Sequence, residues 1–274
     1  MPELPEVETV CRGLAPLLIG EQVHSLAVSN SSLRWPIPVE LLQERLHKGI
    51  ITAVSRRGKY ILIQLDTGTL LIHLGMTGRL YRLPSQAESS NKHEHVILHF
   101  CSGFSLRYAD PRRFGAWLWG GEHPLQHPLL SSLGPEPFAE ELHGDYLWRS
   151  AQKRKIAVKS WLMDSHVLVG VGNIYAAEVL FRVGVHPLTL ASALSKQQCA
   201  QLVEAIRLVL SEAITQGGST LRDYRQVDGS QGYFQIFLQV YGRQGESCYR
   251  CGSVLQELRI AGRASCFCPQ CQPL

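Results

Sequence analysis

Four cysteines near the end of the chain have the spacing of a metal site. Cys248 and Cys251 form one Cys-x2-Cys pair, and after sixteen intervening residues Cys268 and Cys271 form a second. Two thiolate hairpins spaced in this way close a tetrahedral Zn2+ site. Four protein ligands leave no position for water, so the expectation is one structural zinc that folds the tail and takes no part in catalysis. Four unrelated thiols would leave that tail almost without a core. Cys266 stands two residues before Cys268 and could compete as a ligand, but its spacing breaks the paired pattern. Between the pairs, Arg259, Gly262 and Arg263 are consistent with a β-hairpin that presents cations, although on charge alone Arg263 reads first as a solvated turn residue.

The opening residues suggest a different chemistry. Pro2 follows Met1, and a small penultimate residue commonly allows removal of the initiator, which would leave the secondary amine of Pro2 as the terminus. An α-amine has a pKa near 8, so roughly a tenth of it is neutral and nucleophilic at pH 7. Attack on an aldehyde-like carbon gives an iminium cation with no N–H proton to lose. Such a cation acidifies the neighbouring carbon and promotes elimination. Glu3, next door, could shuttle the protons. Taken alone, an N-terminal proline is usually inert, because an available amine is common and an activated one is not.

A third signal is Val169-Gly170-Val171-Gly172-Asn173-Ile174. Glycines permit a tight turn, Asn173 reads as an N-cap, and the helix after it would point backbone N–H groups at a phosphate. An isolated Gly-Asn junction is explained better by an ordinary capped helix.

These residues need elements to hold them. Pro5 at a first-turn position, Glu6 and Glu8 at the positive end of a helix dipole, and Val7, Val10, Cys11 and Leu14 on one stripe predict a short N-terminal helix that weakens at Gly13. From about 50 to 119 the hydrophobic period falls to two, with runs at Ile61–Leu65, Thr69–Leu74, His95–Cys101 and Phe104–Tyr108, and predicts an antiparallel sandwich or barrel. Residues 120–137 have linker composition, and helical periodicity follows over Ile156–Asp164, Ile174–Arg182 and Lys196–Thr215, closed by Gly217-Gly218.

Composition narrows the class. The 274 residues are 45% hydrophobic and 18% charged, and no stretch approaches the roughly 20 apolar residues of a membrane helix. The first eight residues carry three acids and no base, unlike a secretory signal, so the chain is expected to stay in the cytoplasm, where eight cysteines are thiols or ligands and not disulfides. Residues 1–150 hold 14 bases against 15 acids and 151–274 hold 13 against 8, so the net +4 charge resides in the second half and leans towards a polyanionic partner.

Taken in order, Pro2-Glu3-Leu4-Pro5-Glu6-Val7-Glu8-Thr9, Asp110-Pro111-Arg112-Arg113-Phe114-Gly115, Gly170–Glu178 and the terminal cysteine motif closely resemble the bacterial formamidopyrimidine-DNA glycosylase family, in register from residue 2 to about 272. The resemblance implies an α+β protein: an N-terminal antiparallel β-sandwich flanked by helices (1–133), a linker (134–150), a helix-two-turn-helix DNA-binding domain (151–237) and a zinc finger (238–274). It implies a monomer acting on double-stranded DNA that contains oxidised bases or abasic sites, associated with the nucleoid when bound. Oxidised purines such as 8-oxoguanine and formamidopyrimidines would be excised and the strand then cut by β- and δ-elimination.

Carried over position by position, the resemblance makes Pro2 the nucleophile at C1′ and Glu3 its acid/base partner, with Lys59 and Arg263 completing the catalytic set. DNA contacts fall to Lys59, His73, Met76, His93, Arg112, Phe114, Lys155, Asn173 and Arg263. Extrusion of the damaged nucleotide leaves a gap. Met76 would wedge into it, while Arg112 bonds the orphaned base and Phe114 stacks on its neighbours. Alone, a Met in a Gly-flanked turn packs, and Arg-Arg-Phe is a sheet edge. Glu6 supports the N-terminus and joins Ser219, Thr220 and Tyr224 in base recognition. Gln235-Ile236-Phe237 and Cys266 depart from the family pattern, which bears on lesion preference and finger stability. Two rival readings remain: an endonuclease VIII-like enzyme for oxidised pyrimidines, disfavoured by Leu4 and by the separated Met76, Arg112 and Phe114, and a non-enzymatic zinc protein that binds damaged DNA, which would need neither Pro2 nor Glu3.

Overall fold

The computed structural model describes residues 2–87, 91–218 and 238–274. They fall into two compact units: the first holds the chain up to Ser131 and takes it back at Gln216, and the second runs from Ser132 to Thr215 and includes 238–274. No helix among the described residues is long and apolar enough to cross a membrane.

The first unit contains α1 (Leu4–Leu18), β1 (Val23–Val28), α2 (Val39–Leu46), β2 (Ile51–Arg57), β3 (Tyr60–Leu65), β4 (Gly68–His73), β5 (Arg79–Pro84), β6 (Glu94–Phe100), β7 (Phe104–Ala109), β8 (Ala116–Gly121) and α3 (Pro128–Ser131). The strands form two four-stranded antiparallel sheets, ordered β1-β6-β7-β5 and β2-β3-β4-β8. Ile61, Ile63, Leu70, Ile72 and Trp117 from one sheet share a single core with Leu80, Val96, Leu98, Leu106 and Tyr108 from the other. The sandwich expected from the period-two runs is therefore present. Helix α1 goes further than its glycine suggested, through Pro16 to Leu18, because Leu14 and Leu18 continue the buried stripe begun by Val7, Val10 and Cys11. Burying those two side chains recovers about 1.5–3 kcal/mol each, enough to outweigh a helical glycine.

Strand β1 had no period-two signal, since a register shift between Val23 and Ser25 breaks the alternation. Helix α2 was also unread: it buries only Leu42 and Leu46, too few positions for a visible stripe.

The second unit contains α4 (Gly144–Ala151), α5 (Val158–Leu162), α6 (Asn173–Val183), α7 (Lys196–Thr215) and a hairpin of β9 (Gln256–Ile260) and β10 (Arg263–Phe267). Helix α6 is buried from Ile174 to Phe181 and packs on α5, α7 and β10, and α7 packs on α4. The segment read as a linker holds α4, which buries Leu147 and Ala151 and is capped by His143 Nδ1 accepting the Tyr146 N–H at 3.2 Å. Arg207 of α7 fastens the chain before it, donating to the carbonyls of Pro137, Ala139 and Leu142 at 3.1, 3.0 and 2.9 Å.

Candidate functional site

At the start of the first unit, Pro2 and Glu3 are buried immediately before α1. Glu3 occupies the N-cap in extended conformation, and its N–H donates to Glu6 Oε2 at 2.8 Å. The helix thus begins with two carboxyl groups, 2% and 1% exposed, three residues apart beside Pro2. The next turn is tied to β2: Arg56 donates to Glu8 Oε2 at 2.7 Å and Arg12 to Glu8 Oε1 at 2.8 Å. Burial opposes ionisation of Glu8, but the hydrogen bonds and charges of Arg12 and Arg56 prevail and hold its carboxyl below the usual range. The chain returns to Glu6 at Gly218, where a methyl group would lie 3.1 Å from Glu6 Cγ and Oε1. Ser219, Thr220 and Tyr224, assigned to base recognition, and Ile236 and Phe237 lie outside the described residues.

Lys59 sits in the β2–β3 turn, half-buried, beside His73 at the end of β4. Tyr60 packs on His73 with ring centroids 4.8 Å apart. Burial, with the cations Lys59 and Arg34 adding to it against the opposing charge of Asp110, pushes His73 down to about 4. Its Nδ1 accepts the Gly75 N–H at 3.0 Å, so the neutral ring carries its proton on Nε2 and can act only as a donor there.

Met76 lies half-buried in the β4–β5 turn, and Arg112 and Phe114 are exposed in the β7–β8 loop. The Arg112 guanidinium stacks over the Phe114 ring at 4.9 Å. The half-buried His93 is joined to this loop through its carbonyl, which accepts the Asp110 N–H at 3.0 Å. The structure therefore gathers Met76, His93, Arg112 and Phe114, residues separated in sequence, at one end of the sandwich. It adds Arg113, which the sequence reading passed over. Arg113 is exposed with φ of 57°, a left-handed conformation that costs a non-glycine residue about 1–2 kcal/mol. The adjacent pair of arginines was the available signal.

In the second unit, Lys155 is exposed between α4 and α5. Asn173 is the first residue of α6 and not its cap, the N-cap being Gly172. The Asn173 amide is used elsewhere: Nδ2 donates to the Ala264 carbonyl at 3.1 Å, while the buried Oδ1 has no hydrogen-bond partner among the described residues. Ala264 follows Arg263, which is exposed at the tip of the β9–β10 hairpin. A second residue absent from the sequence reading holds the same point. Lys159, 1% exposed, donates from Nζ to Ala264 O at 2.9 Å and Ser265 Oγ at 2.7 Å. A lysine on the apolar stripe of a five-residue helix gives no sequence sign of this role. Asn173 and Lys159 thus converge on the backbone that carries Arg263.

The four cysteine sulfurs of the terminal pairs lie within 4.8 Å of one another, with Cys248–Cys271 at 3.9 Å and Cys251–Cys268 at 3.4 Å. Tetrahedral thiolates about 2.3 Å from zinc are about 3.8 Å apart, so the donors fit one Zn2+. Backbone N–H groups of Arg250 and Cys271 point at Cys248 and Cys268 sulfur at 3.4 and 3.3 Å, as thiolate ligands require. Bound zinc would supply cross-linking of two hairpins and no reaction. Cys266 is not part of this group; it packs in the small core of the unit with Phe181, Val240 and Leu255, and burial pushes its thiol up to about 11.

Three family descriptions cover most of the chain: formamidopyrimidine-DNA glycosylase N-terminal domain over residues 1–117, formamidopyrimidine-DNA glycosylase H2TH domain over 133–225, and zinc finger found in FPG and IleRS over 245–274. A formamidopyrimidine-DNA glycosylase of Stutzerimonas stutzeri is 53% identical over 99% of this chain and 100% of its own. One of Klebsiella pneumoniae is 50% identical over 99% and 100%. Among solved structures, a Lactococcus lactis FPG mutant in complex with Fapy-dG containing DNA is 34% identical, with a TM-score of 0.93 and coverage of 100% of both chains. The Lactococcus lactis protein with abasic-site DNA gives 0.92 at 34% identity, covering 99% of this chain and 100% of that one.

Two outcomes follow from the geometry. Because His73 ionises near 4 when folded and near 6.5 when unfolded, the unfolded chain binds more protons between those values. Stability contributed by the neutral ring is complete above about 6.5 and declines as pH falls towards 4. Replacing His73 by Gln should shrink the fall in Tm between pH 6.5 and 5, measured by calorimetry; an unchanged slope would refute a half-buried neutral imidazole. For the metal, Cys266→Ala should retain one zinc per chain by atomic absorption and Cys268→Ser should lose it. Loss of zinc from the Cys266 variant would contradict the four-ligand assignment.

Proposed function

The chain belongs to the formamidopyrimidine-DNA glycosylase family, and from that premise we propose that it is a base-excision-repair DNA glycosylase and abasic-site lyase that removes oxidised purines from double-stranded DNA. The observation that carries the reading is the buried Pro2-Glu3 pair held at the start of α1 by Glu6. With Met1 removed, the neutral Pro2 nitrogen forms a bond to C1′ as the glycosidic bond breaks, and its N–H proton passes to the departing base. Glu3 gives a proton to the ring oxygen of the sugar as the ring opens, which leaves an iminium cation on C1′. Loss of a C2′ proton to the Glu3 carboxylate sends its electron pair to the iminium nitrogen, and the enamine so formed expels the 3′ phosphate; loss of a C4′ proton then lets the δ-elimination expel the 5′ phosphate.

The remaining residues take roles that suit their chemistry. Lys59 and Arg263 lie along the phosphates of the cleaved strand and serve the elimination steps, with Asn173, Lys155 and the neutral Nε2–H of His73 as further backbone contacts. Extruding the nucleotide requires the gap to be filled, and Met76, Phe114 and Arg112 supply an unbranched wedge, an aromatic face and a donor to the opposite base. Residues 1–133 would carry the chemistry, and 151–237 with the 238–274 finger would grip DNA. Such a substrate places the working protein in the cytoplasm with the chromosome.

Borohydride reduction tests this reading. The zinc-loaded protein mixed with duplex DNA containing 8-oxoguanine opposite cytosine should become covalently trapped, with the adduct on Pro2 by peptide mapping. Glu3→Gln should bind the same duplex with little change while excision falls by about 10²-fold or more. Excision at the normal rate by that variant would remove Glu3 from its role, and a processed protein that is never trapped would leave only a DNA-binding protein.

A further inference from the structure

Two loops cross between the sheets of the sandwich at the same end. The β4–β5 turn carries Met76 from one sheet to the other, and the β7–β8 loop carries Arg112 and Phe114 back. They touch backbone to backbone. At Gly75, with φ of 63°, a methyl group would come within 2.4 Å of the Phe114 carbonyl carbon; at Gly115 it would meet the Tyr108 hydroxyl at 1.7 Å. Side chains as small as alanine are excluded from the seam.

The seam closes on Asp110, which is fully buried. Its Oδ1 accepts the Thr77 hydroxyl at 2.6 Å, and its Oδ2 accepts the Tyr108 hydroxyl at 3.0 Å and the Gly115 N–H at 2.9 Å. Its own carbonyl accepts from His95 Nε2 at 2.9 Å and from the Arg113 N–H at 3.2 Å. Thr77 faces both ways: Oγ1 accepts the Arg112 N–H at 3.2 Å, which leaves its O–H free to donate to the carboxylate. One hydroxyl therefore bridges the turn that presents Met76 and the loop that presents Arg112.

We infer that Thr77 is a positioning residue, anchored on Asp110 and Tyr108, that locks Met76 in register with Arg112 and Phe114 so that the gap-filling residues enter the duplex as one rigid piece. The inference rests on the proposed glycosylase reading and goes beyond it, since Thr77, Tyr108 and Asp110 would touch no DNA. The need is physical. Phe114 is 43% exposed and Arg112 is exposed and stacked chiefly on Phe114, so neither tip is held by packing of its own. A wedge inserted into a base stack meets resistance, and a shift of about 1 Å at such a site costs about 10²-fold in rate. Arg112 offers a fork of donors that the adjacent N3 and O2 acceptors of an orphaned cytosine match and the single N1 acceptor of adenine does not, and a well-placed pair of hydrogen bonds discriminates by 1–3 kcal/mol, which is about 5- to 150-fold.

The test compares Thr77→Val, which keeps the shape and removes the hydroxyl, with Thr77→Ser, which keeps the hydroxyl. Each full-length, zinc-loaded variant is assayed for excision of 8-oxoguanine opposite cytosine and opposite adenine in duplex DNA. Borohydride trapping on a single-stranded oligonucleotide with a preformed abasic site, where no partner base exists, is the control. Thr77→Val should lose about tenfold or more of the cytosine-to-adenine preference and of the duplex rate while trapping on the single strand persists; Thr77→Ser should restore both. An unaltered preference in folded Thr77→Val overturns the inference alone, as does equal loss of single-strand trapping, which would put Thr77 in the chemistry. Should Thr77→Val fail to fold, Tyr108→Phe, which deletes one donor to Asp110 and keeps the ring, decides in the same way: a flattened preference supports the inference and a wild-type preference overturns it. Absence of trapping by the unaltered protein would instead overturn the glycosylase reading itself.

Discussion

A charged or polar group removed from water must find its partners inside the protein, since an unsatisfied one costs about 1–3 kcal/mol and more when charged. That constraint organises both units. Asp110 draws two loops of the sandwich together because a buried carboxylate needs several donors, and the donors present are a turn threonine, a strand tyrosine and a loop glycine. Glu178, 4% exposed on α6, does the same in the second unit, accepting the N–H groups of Gln239, Val240 and Tyr241 at 2.8, 3.0 and 2.8 Å. Burial raises the Glu178 carboxyl while those three bonds oppose the rise. Lys159 closes the set on the hairpin that carries Arg263. Asp110 and Glu178 each fix a stretch of backbone that regular secondary structure does not, and Lys159 ties strand β10 to α5.

Such anchors explain how exposed residues can be held precisely enough for recognition. The left-handed backbone of Arg113 is braced by its N–H donating to Asp110 O on one side and by the Phe114–Gly115 peptide packed against Gly75 on the other. The same logic applies to Arg263. It follows Ala261 and Gly262, both at positive φ, and the next carbonyl is gripped by Lys159 and Asn173. An arginine at a tight hairpin tip with its neighbour pinned loses less freedom on meeting a phosphate than one on a free loop.

What the sequence revealed follows the range of each signal. The cysteine pairs were legible because metal geometry translates directly into spacing, and α7 because twenty residues of period 3.6 leave a long stripe. Helices α2 and α4, with two buried residues each, had no stripe to read, and the bulge in β1 erased its alternation. The N-cap reading of Asn173 failed for a different reason: its amide bonds to Ala264, ninety-one positions away, and no local rule carries that information. Asp110, Thr77 and Lys159 belong to the same class. Their partners are distant or set by the pairing of sheets, so the sequence shows the residue but not its task.

The N-terminus combines both kinds of control. A helix start is a positive place, because unpaired N–H groups and the aligned peptide dipoles sum to about half an elementary charge there. If Pro2 becomes an iminium cation, as proposed, that field opposes it. Two buried carboxyl groups stand at the same end, Glu3 as N-cap and Glu6 bonded to the Glu3 N–H, and Glu3 becomes a carboxylate there as it gives its proton to the sugar. Negative charge that appears where a cation develops is worth more in a dry site than in water, and groups already in place need no rearrangement during the reaction. The capping of α1 and the stabilisation of the proposed intermediate are then one arrangement, and removing the Glu6 carboxylate would disturb the helix start and the developing charge together.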